Sequence, residues 1–224
     1  MKKIINFLWL LFFVSNFFAQ KDSLQIGDKY SEDQIYASIS YAQLYDQPSP
    51  ITKSGFSYAF STGFIKDITF NKRGNIAIAI GIGYGLDFFN HELKVEENNG
   101  VSVFSQGQSL ASNVFKTHNL EFPLELRWRT STAKRYDFWR IYAGVKFLYN
   151  LSNTFEFEEN LNSISYNNVS SYNPFQYGLT LSAGYDEFNV NFYYSLTPIF
   201  KNAFINGEEI NSSILKFGLI FYIL

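Results

Sequence analysis

Large apolar and small residues alternate almost without interruption between residues 75 and 89. One face of this segment carries Ile76, Ile78, Ile80, Ile82, Tyr84, Leu86 and Phe88. The other face carries Ala77, Ala79, Gly81, Gly83, Gly85 and Asp87. A period of two is typical of a β-strand, because successive side chains point to opposite sides of the pleated backbone. A strand with one apolar and one small face fits a barrel with a crowded interior, so the pattern predicts a β-barrel.

The same alternation recurs along the rest of the chain. It predicts further strands over residues 35–41, 56–64, 120–129, 139–149, 175–185, 188–194 and 215–224. After residue 19, glycines and charges interrupt every apolar run before it reaches the roughly 20 residues of a membrane-spanning helix. We therefore predict an all-β fold, an eight-stranded antiparallel transmembrane β-barrel with up-and-down topology and a lumen filled by side chains.

The predicted connections are short on one side of the barrel and long on the other. Turns are expected at 66–74, 130–136 and 186–187, and longer loops at 45–54, 90–113, 152–173 and 201–212. Bacterial outer-membrane barrels have short periplasmic turns and longer external loops. The pattern therefore predicts a multi-pass barrel of the outer membrane whose two termini lie on the periplasmic side.

The N-terminus has the features of an export signal. Two lysines precede an apolar run over residues 4–14, and the segment ends at Ala19. We interpret 1–19 as a cleaved signal peptide, with a membrane anchor as the alternative. Residues 20–34 then form a periplasmic N-terminal arm, and 35–224 form the barrel domain. The chain has no cysteine, which excludes disulfides and thiolate chemistry.

Composition and charge narrow the class of partner. Aromatic residues make up 20% of the chain, about twice the usual share for soluble domains. The net charge of −2 argues against a nucleic-acid partner. Trp128 and Trp139 have outward parity on either side of one predicted turn, and we expect both at a membrane interface. These features favour a lipid environment.

Six charged residues have inward parity on neighbouring predicted strands: Glu121, Glu125, Arg127, Arg129, Arg140 and Lys146. We predict that they pair around the turn at 130–136 as a network that fills the lumen. The alternative is a catalytic pair of carboxylates, but arginines this close would hold both acids ionised, which favours the structural role. Pro123 forfeits a ladder hydrogen bond in this strand, so we expect a β-bulge there.

Two sets of residues indicate contacts with other molecules. The last strand carries the polar-x-Gly-x-x-hydrophobic-x-hydrophobic pattern that barrel-assembly machinery reads, at Lys216, Gly218, Phe221 and Ile223. The predicted turns carry Lys66, Lys72, Arg73, Lys134 and Arg135. This basic collar could dock an acidic partner or lipid phosphates in the periplasm, or it could reflect ordinary solvation of turns.

Candidate catalytic residues are few, and no cofactor or metal is expected. His91 and His118 are the two histidines, and nearby loop serines are Ser102, Ser105, Ser109 and Ser112. A His/Ser pair as in lipid-modifying barrels has no supporting spacing here. Scattered loop carboxylates are interpreted as a solvated rim rather than a divalent-ion site. We therefore predict that the protein is not an enzyme.

Several segments carry a resemblance to a known family: GDKY (27–30), EDQ (32–34), GFIKDI (63–68), AIGIGYGL (79–86), FWRIYAGVK (138–146), FQYGLT (175–180) and FYIL (221–224). Together they resemble the PorT family of outer-membrane barrels, which the type IX secretion system needs. That system exports proteins and adhesins and in some bacteria supports gliding motility. The resemblance covers nearly all of the mature chain through strands and turns, and the long loops do not share it.

The resemblance implies an accessory role, because a barrel of eight strands is too narrow to pass a folded protein. The implied partners are outer-membrane lipid, the barrel-assembly machinery and other type IX secretion components. One alternative is a generic small barrel that binds lipid or external ligands through its long loops. A second alternative is the lipid-modifying enzyme considered above.

Overall fold

The computed structural model describes residues 33–49, 51, 55–71, 74–107, 110–130, 139–185 and 188–223. Strands account for most of these residues, and none of the described residues is helical. Nor does this part of the chain contain a helix long and apolar enough to cross a membrane. The strands are β1 (Gln34–Tyr45), β2 (Tyr58–Thr69), β3 (Ile76–Asn90), β4 (Leu93–Asn98), β5 (Val101–Gln106), β6 (Ser112–Arg129), β7 (Trp139–Glu159), β8 (Asn162–Asn167), β9 (Phe175–Tyr185), β10 (Phe188–Ser195), β11 (Phe204–Ile205), β12 (Glu208–Glu209) and β13 (Ser213–Ile223).

Eight of these strands close into a barrel. β1, β2, β3, β6, β7, β9, β10 and β13 pair in chain order and antiparallel, and β13 returns to pair with β1. The closing seam runs from the pair of Ile35 with Ile223 to the pair of Tyr45 with Ser213. Closure leaves no barrel strand with an unpaired edge, which a membrane environment requires. The predicted eight-stranded up-and-down barrel is confirmed.

The two faces of the barrel wall follow the alternation in the sequence. On β3, Ile80 and Ile82 point outward and are 53% and 51% exposed, whereas Ala77 and Ala79 are buried inside. The same division holds along β6 and β9, where exposed and buried positions alternate. An outer surface of large apolar side chains suits lipid rather than water.

The two ends of the barrel differ. The connections β2–β3, β6–β7 and β9–β10 lie at one end of the barrel, together with the start of β1 and the end of β13. This end is called here the turn end. The other connections lie at the loop end. There β6 and β7 continue past the barrel, so that Ser112 pairs with Glu158. β4 pairs with β5, β8 with β7, and β11 with β12.

The predicted loops 90–113, 152–173 and 201–212 are therefore wrong in part, since they contain paired strands. They also enclose a hydrophobic core, the loop-end cap, built around Phe89, Phe115, Phe155, Tyr172 and Phe200. Phe115 stacks on Phe155 with ring centroids 4.3 Å apart. Because these aromatic residues come from segments that are far apart in the sequence, their convergence appears only in three dimensions.

Two local predictions on the strands also require correction. The register between β3 and β6 is unchanged across Pro123, since Ile80 pairs with Leu124 and Gly83 with Glu121. Proline removes a donor there without inserting a residue, so there is no bulge. The irregularity lies at His118/Asn119, where the register between β6 and β7 shifts. In addition, β2 continues to Thr69, beyond the predicted start of the turn at 66.

We predict that Ile80→Arg lowers the free energy of unfolding by about 2–4 kcal/mol, because the outward face of β3 meets lipid. Urea unfolding of the protein refolded into lipid vesicles measures this change. Val103→Arg is the matched control, because Val103 is an exposed apolar residue on β5 outside the barrel. An equal, small effect at both positions would contradict a lipid-facing surface.

Candidate functional site

Buried polar and charged side chains line the lumen of the barrel. One wall consists of β1, β2 and β3, whose inward residues are mostly small, such as Ser38, Ser61, Gly83 and Gly85. The facing strands contribute long polar side chains into the space that these small residues leave. A Cβ added at Gly83 would overlap the Tyr36 hydroxyl, and one at Gly85 would overlap the Glu121 carboxylate. The glycines of β3 therefore leave the space that two buried polar groups occupy, the Tyr36 hydroxyl and the Glu121 carboxylate.

A first group of charges, the turn-end cluster, lies near the short turns. Arg127 donates to Asp67 at 2.8 Å and to Glu125 at 2.9 Å. Arg129 donates to the other oxygen of Asp67 and to the carbonyl of Gly74. The guanidinium of Arg127 also lies 4.4 Å from the ring centroid of Tyr142. Both arginines are fully buried, and these contacts compensate for the loss of water.

A second group, the central cluster, surrounds Glu121. Its Oε2 accepts hydrogen bonds from Lys146 at 2.7 Å, Ser61 at 2.6 Å and Tyr36 at 3.2 Å. Bonds from both the small and the large wall thus converge on one carboxylate. A buried carboxylate is tolerated when several donors form hydrogen bonds to it.

Asp87 is the acceptor in a similar group of contacts, which lies nearer the loop end than the central cluster. Lys216 forms an ion pair with its Oδ1 at 2.5 Å. Thr117 and Asn119 donate to Oδ2 at 3.3 Å and 3.2 Å. Lys216 comes from β13, so this ion pair connects the last strand to β3 across the interior of the barrel.

The charges in the lumen nearly balance. The buried cations Arg127, Arg129, Arg140, Lys146 and Lys216 face the buried carboxylates Asp67, Asp87, Glu121 and Glu125. Two cavities of about 10 Å³ each remain between these side chains. A cavity of this size holds about one water molecule. The interior of the barrel is a polar plug.

All six charged residues that the sequence predicted for the lumen are buried there. The prediction omitted Asp67, Asp87 and Tyr36, and it considered Lys216 only as part of an assembly signal. Asp67 was missed because the sequence interpretation began the turn at residue 66. For Asp87, Tyr36 and Lys216, the signal in the sequence that could have identified them is inward parity on their strands. Asp87 shares this parity with the glycines of β3.

The other predicted site residues that the structure describes lie on strands of the barrel wall. Trp128 and Trp139 point outward and are exposed. In β13, Lys216 and Gly218 have inward parity, and Phe221 and Ile223 have outward parity. Lys66 forms an exposed ion pair with Asp33 at 2.9 Å. The remaining basic residues Lys72, Arg73, Lys134 and Arg135, the signal peptide 1–19 and the arm up to residue 32 lie outside the described residues.

The two histidines lie at the loop end and have different environments. His91 is buried, and its Nδ1 accepts a hydrogen bond from the backbone N–H of Leu93 at 3.0 Å. His118 is on the outer face, with Nδ1 2.5 Å from the hydroxyl of Tyr84. Within the described residues neither histidine is hydrogen-bonded to a serine, and no group of three or more acidic or histidine side chains is placed to hold a metal ion. Ser109 lies outside these residues.

The profile of the outer membrane protein beta-barrel domain family matches residues 18–201. This match spans most of the chain, so the protein belongs to that family and is an outer-membrane β-barrel protein. No curated protein matches the chain.

Among solved structures, the chain is similar to Ail, the attachment invasion locus protein of Yersinia pestis. The identity is 12% over 87% of this chain and 100% of Ail, with a TM-score of 0.33. A structure described under asymmetric conductivity of engineered proteins has 7% identity over 87% of this chain and 100% of its own, with a TM-score of 0.22. A mutant of the Rh. blastica porin has 8% identity over the same shares, with a TM-score of 0.22. Similarities this low carry no argument about function.

We predict that Gly83→Ala destabilises the barrel by about 2 kcal/mol or more, because the new methyl group displaces the Tyr36 hydroxyl from its bond to Glu121. Urea unfolding of the refolded protein measures the loss. Adding Tyr36→Phe removes the overlapping hydroxyl and should make the double variant less destabilised than the sum of the two single changes. Simple additivity would show that the two positions do not interact.

We predict that acid weakens the loop-end cap through His91. Burial lowers the pKa of His91 to about 4, whereas the unfolded chain has a histidine pKa of about 6.5. The unfolded state therefore binds more protons between these pH values, and the contribution of neutral His91 is lost as pH falls from about 6.5 towards 4. The expected loss is about 2 kcal/mol between pH 7 and pH 4.5.

Unfolding by urea at both pH values measures the loss against His91→Asn. Asparagine offers Leu93 an acceptor oxygen but does not titrate, so the variant should lose less stability on acidification. The carboxylates titrate in both proteins and cancel in the comparison. Identical pH dependence of the two proteins would contradict a neutral buried His91.

Proposed function

We propose that this protein is a non-enzymatic accessory component of the type IX secretion system. In this role it assists the assembly, maturation or scaffolding of the translocon and so supports protein export, with gliding motility as a downstream effect where the system drives it. The strand and turn segments that resemble the PorT family support the assignment to this system. The plugged lumen is the observation that carries the accessory part of the proposal.

The argument from the lumen is steric and electrostatic. A polypeptide moving through the barrel would have to displace side chains that form ion pairs across the interior, such as Arg127 with Asp67 and Lys216 with Asp87. Separating one partner from a buried ion pair leaves an uncompensated charge and lowers stability by roughly 3–5 kcal/mol. The barrel therefore acts through its surfaces, which are the two ends and the lipid-facing wall.

The contacts of the candidate catalytic residues support a non-enzymatic role. His91 uses Nδ1 to accept from a backbone N–H, which leaves it without a free basic nitrogen. Ser102 is hydrogen-bonded to Glu97 at 2.8 Å rather than to a histidine. A nucleophilic serine is usually activated by a histidine within hydrogen-bond reach, and in the described residues Ser102 contacts a carboxylate instead.

The different character of the two ends supports a proposed placement in the membrane. The N-terminal signal peptide directs export, the assembly machinery binds the last strand, and the turn end faces the periplasm. The outward apolar wall contacts outer-membrane lipid, and secretion partners bind at the turn end or the loop end. The exposed ion pair of Lys66 with Asp33 marks the turn-end surface in the described residues.

A second candidate function is the binding of an external ligand through the loop end. The observation that favours it is the loop-end cap, where hairpins pack on a common aromatic core instead of forming separate loops. A rigid loop end presents a defined surface, which suits recognition.

We predict that a strain lacking this gene fails to release a defined set of secreted proteins, because the translocon is incomplete, while the rest of its outer membrane is unchanged. Quantitative proteomics of the culture medium, compared with the complemented strain, measures the loss. Unchanged export would overturn the secretion role.

The two candidate functions are separated by complementation with surface variants. Val101→Ser with Val103→Ser alters only exposed side chains of β5, whereas a swap of whole loops would remove residues of the cap core. Full export with this variant places the required surface elsewhere on the barrel. Lys66→Glu changes the surface of the turn end in the same way, and export is measured with that variant as well.

A further inference from the structure

Three hairpins at the loop end are closed by the same two-residue turn. Both turn residues have positive φ in each, with values of 51° and 78° at Asn99 and Gly100, and 51° and 85° at Asn206 and Gly207. The third turn, between β7 and β8, consists of Asn160 and Leu161, with φ values of 52° and 63°. Turns with two positive φ angles strongly favour Asn followed by Gly, because glycine has no Cβ to clash with the backbone.

Leu161 is the exception that folding does not explain. Among the described residues with positive φ, it is the one that is neither Gly, Asn nor Asp. A residue with a Cβ pays a steric penalty in this conformation, and Leu161 gains no burial in return, since it is 94% exposed. An exposed leucine is ordinary, but an exposed leucine in a strained turn position indicates a role outside the fold.

The hairpin that carries Leu161 is acidic. Residues 150–173 contain Glu156, Glu158 and Glu159 but no lysine or arginine. Lys116 pairs with Glu156, and Lys94 pairs with Glu159, both from neighbouring strands. Glu158 has no ion pair within the described residues. In the described structure, the hairpin thus combines an exposed apolar residue at its tip with an acidic residue, three positions earlier, that forms no ion pair.

We propose that the tip of the β7–β8 hairpin is a docking site for a separate protein, which receives Leu161 in an apolar pocket with a basic rim. The charge selects this class of partner. An anionic membrane surface would repel the hairpin, and a second copy of the chain would bring two acidic hairpins together. A basic rim around the pocket neutralises Glu158, and burial of the leucine supplies the binding energy.

The first arm of the test concerns the strain at Leu161. Hydrogen exchange of the β7–β8 amides is compared between the refolded full-length protein and its Leu161→Gly variant. Glycine relieves the strain, so exchange in the variant should be about fivefold slower. Faster exchange would show that Leu161 stabilises the hairpin and would overturn the proposal, as would unchanged exchange.

The second arm concerns the partner. A photoreactive amino acid replaces Leu161 in living cells, and in a control it replaces Val101, an exposed apolar residue beside the Asn99-Gly100 turn. We expect one discrete protein adduct from position 161, none from position 101, and an adduct at least fivefold weaker when Glu158→Lys is added. No adduct, an adduct insensitive to Glu158→Lys, a lipid adduct or a crosslinked dimer of the barrel would each overturn it.

This inference does not depend on the secretion role. Export into the medium is measured in the same strains, so the two proposals can fail separately. A charge-dependent adduct together with normal export would retain the docking site and remove the proposed function.

Discussion

Every charge inside a closed barrel must find a partner, and this requirement organises the structure. Nine buried charged side chains occupy the lumen, where an unpaired charge would cost several kcal/mol. The small residues of β1 to β3 leave the space, and the long residues of the facing strands fill it. Since Lys216 on β13 pairs with Asp87 on β3, the closing strand is also held through the interior. Closure of the sheet and pairing of the charges are therefore mutually dependent.

The polar plug separates two ends with different physical character. The turn end has short connections and its own buried arginines, held by Asp67 and by the carbonyl of Gly74. The loop end is sealed by an aromatic core in which Phe115 contacts Phe155, Phe89 and Tyr172. A molecule of this kind offers surfaces rather than a passage. Any function must use those surfaces, which is why both proposals concern contacts with other proteins.

The loop end also shows how rigid hairpins and local strain are distributed. Two hairpins have the Asn-Gly sequence that their turns demand, and these turns need no further explanation. The β7–β8 hairpin keeps the same geometry with a less suitable residue at its apex. Local sequence and local structure agree nearly everywhere in this protein, so a disagreement at an exposed position is informative.

The sequence by itself determined the eight barrel strands and the face on which their residues lie, because alternation with a period of two is a property of the local backbone. It therefore predicted that Glu121, Arg127 and Lys146 point inward. Only the tertiary structure decided which groups they bind, since Tyr36 reaches Glu121 across 85 positions of sequence. Such pairs depend on the register between strands. The position of the irregularity, at His118/Asn119 and not at Pro123, also depends on that register. The aromatic cap likewise exists because loops that are far apart in sequence meet above one barrel, and no local pattern records that meeting.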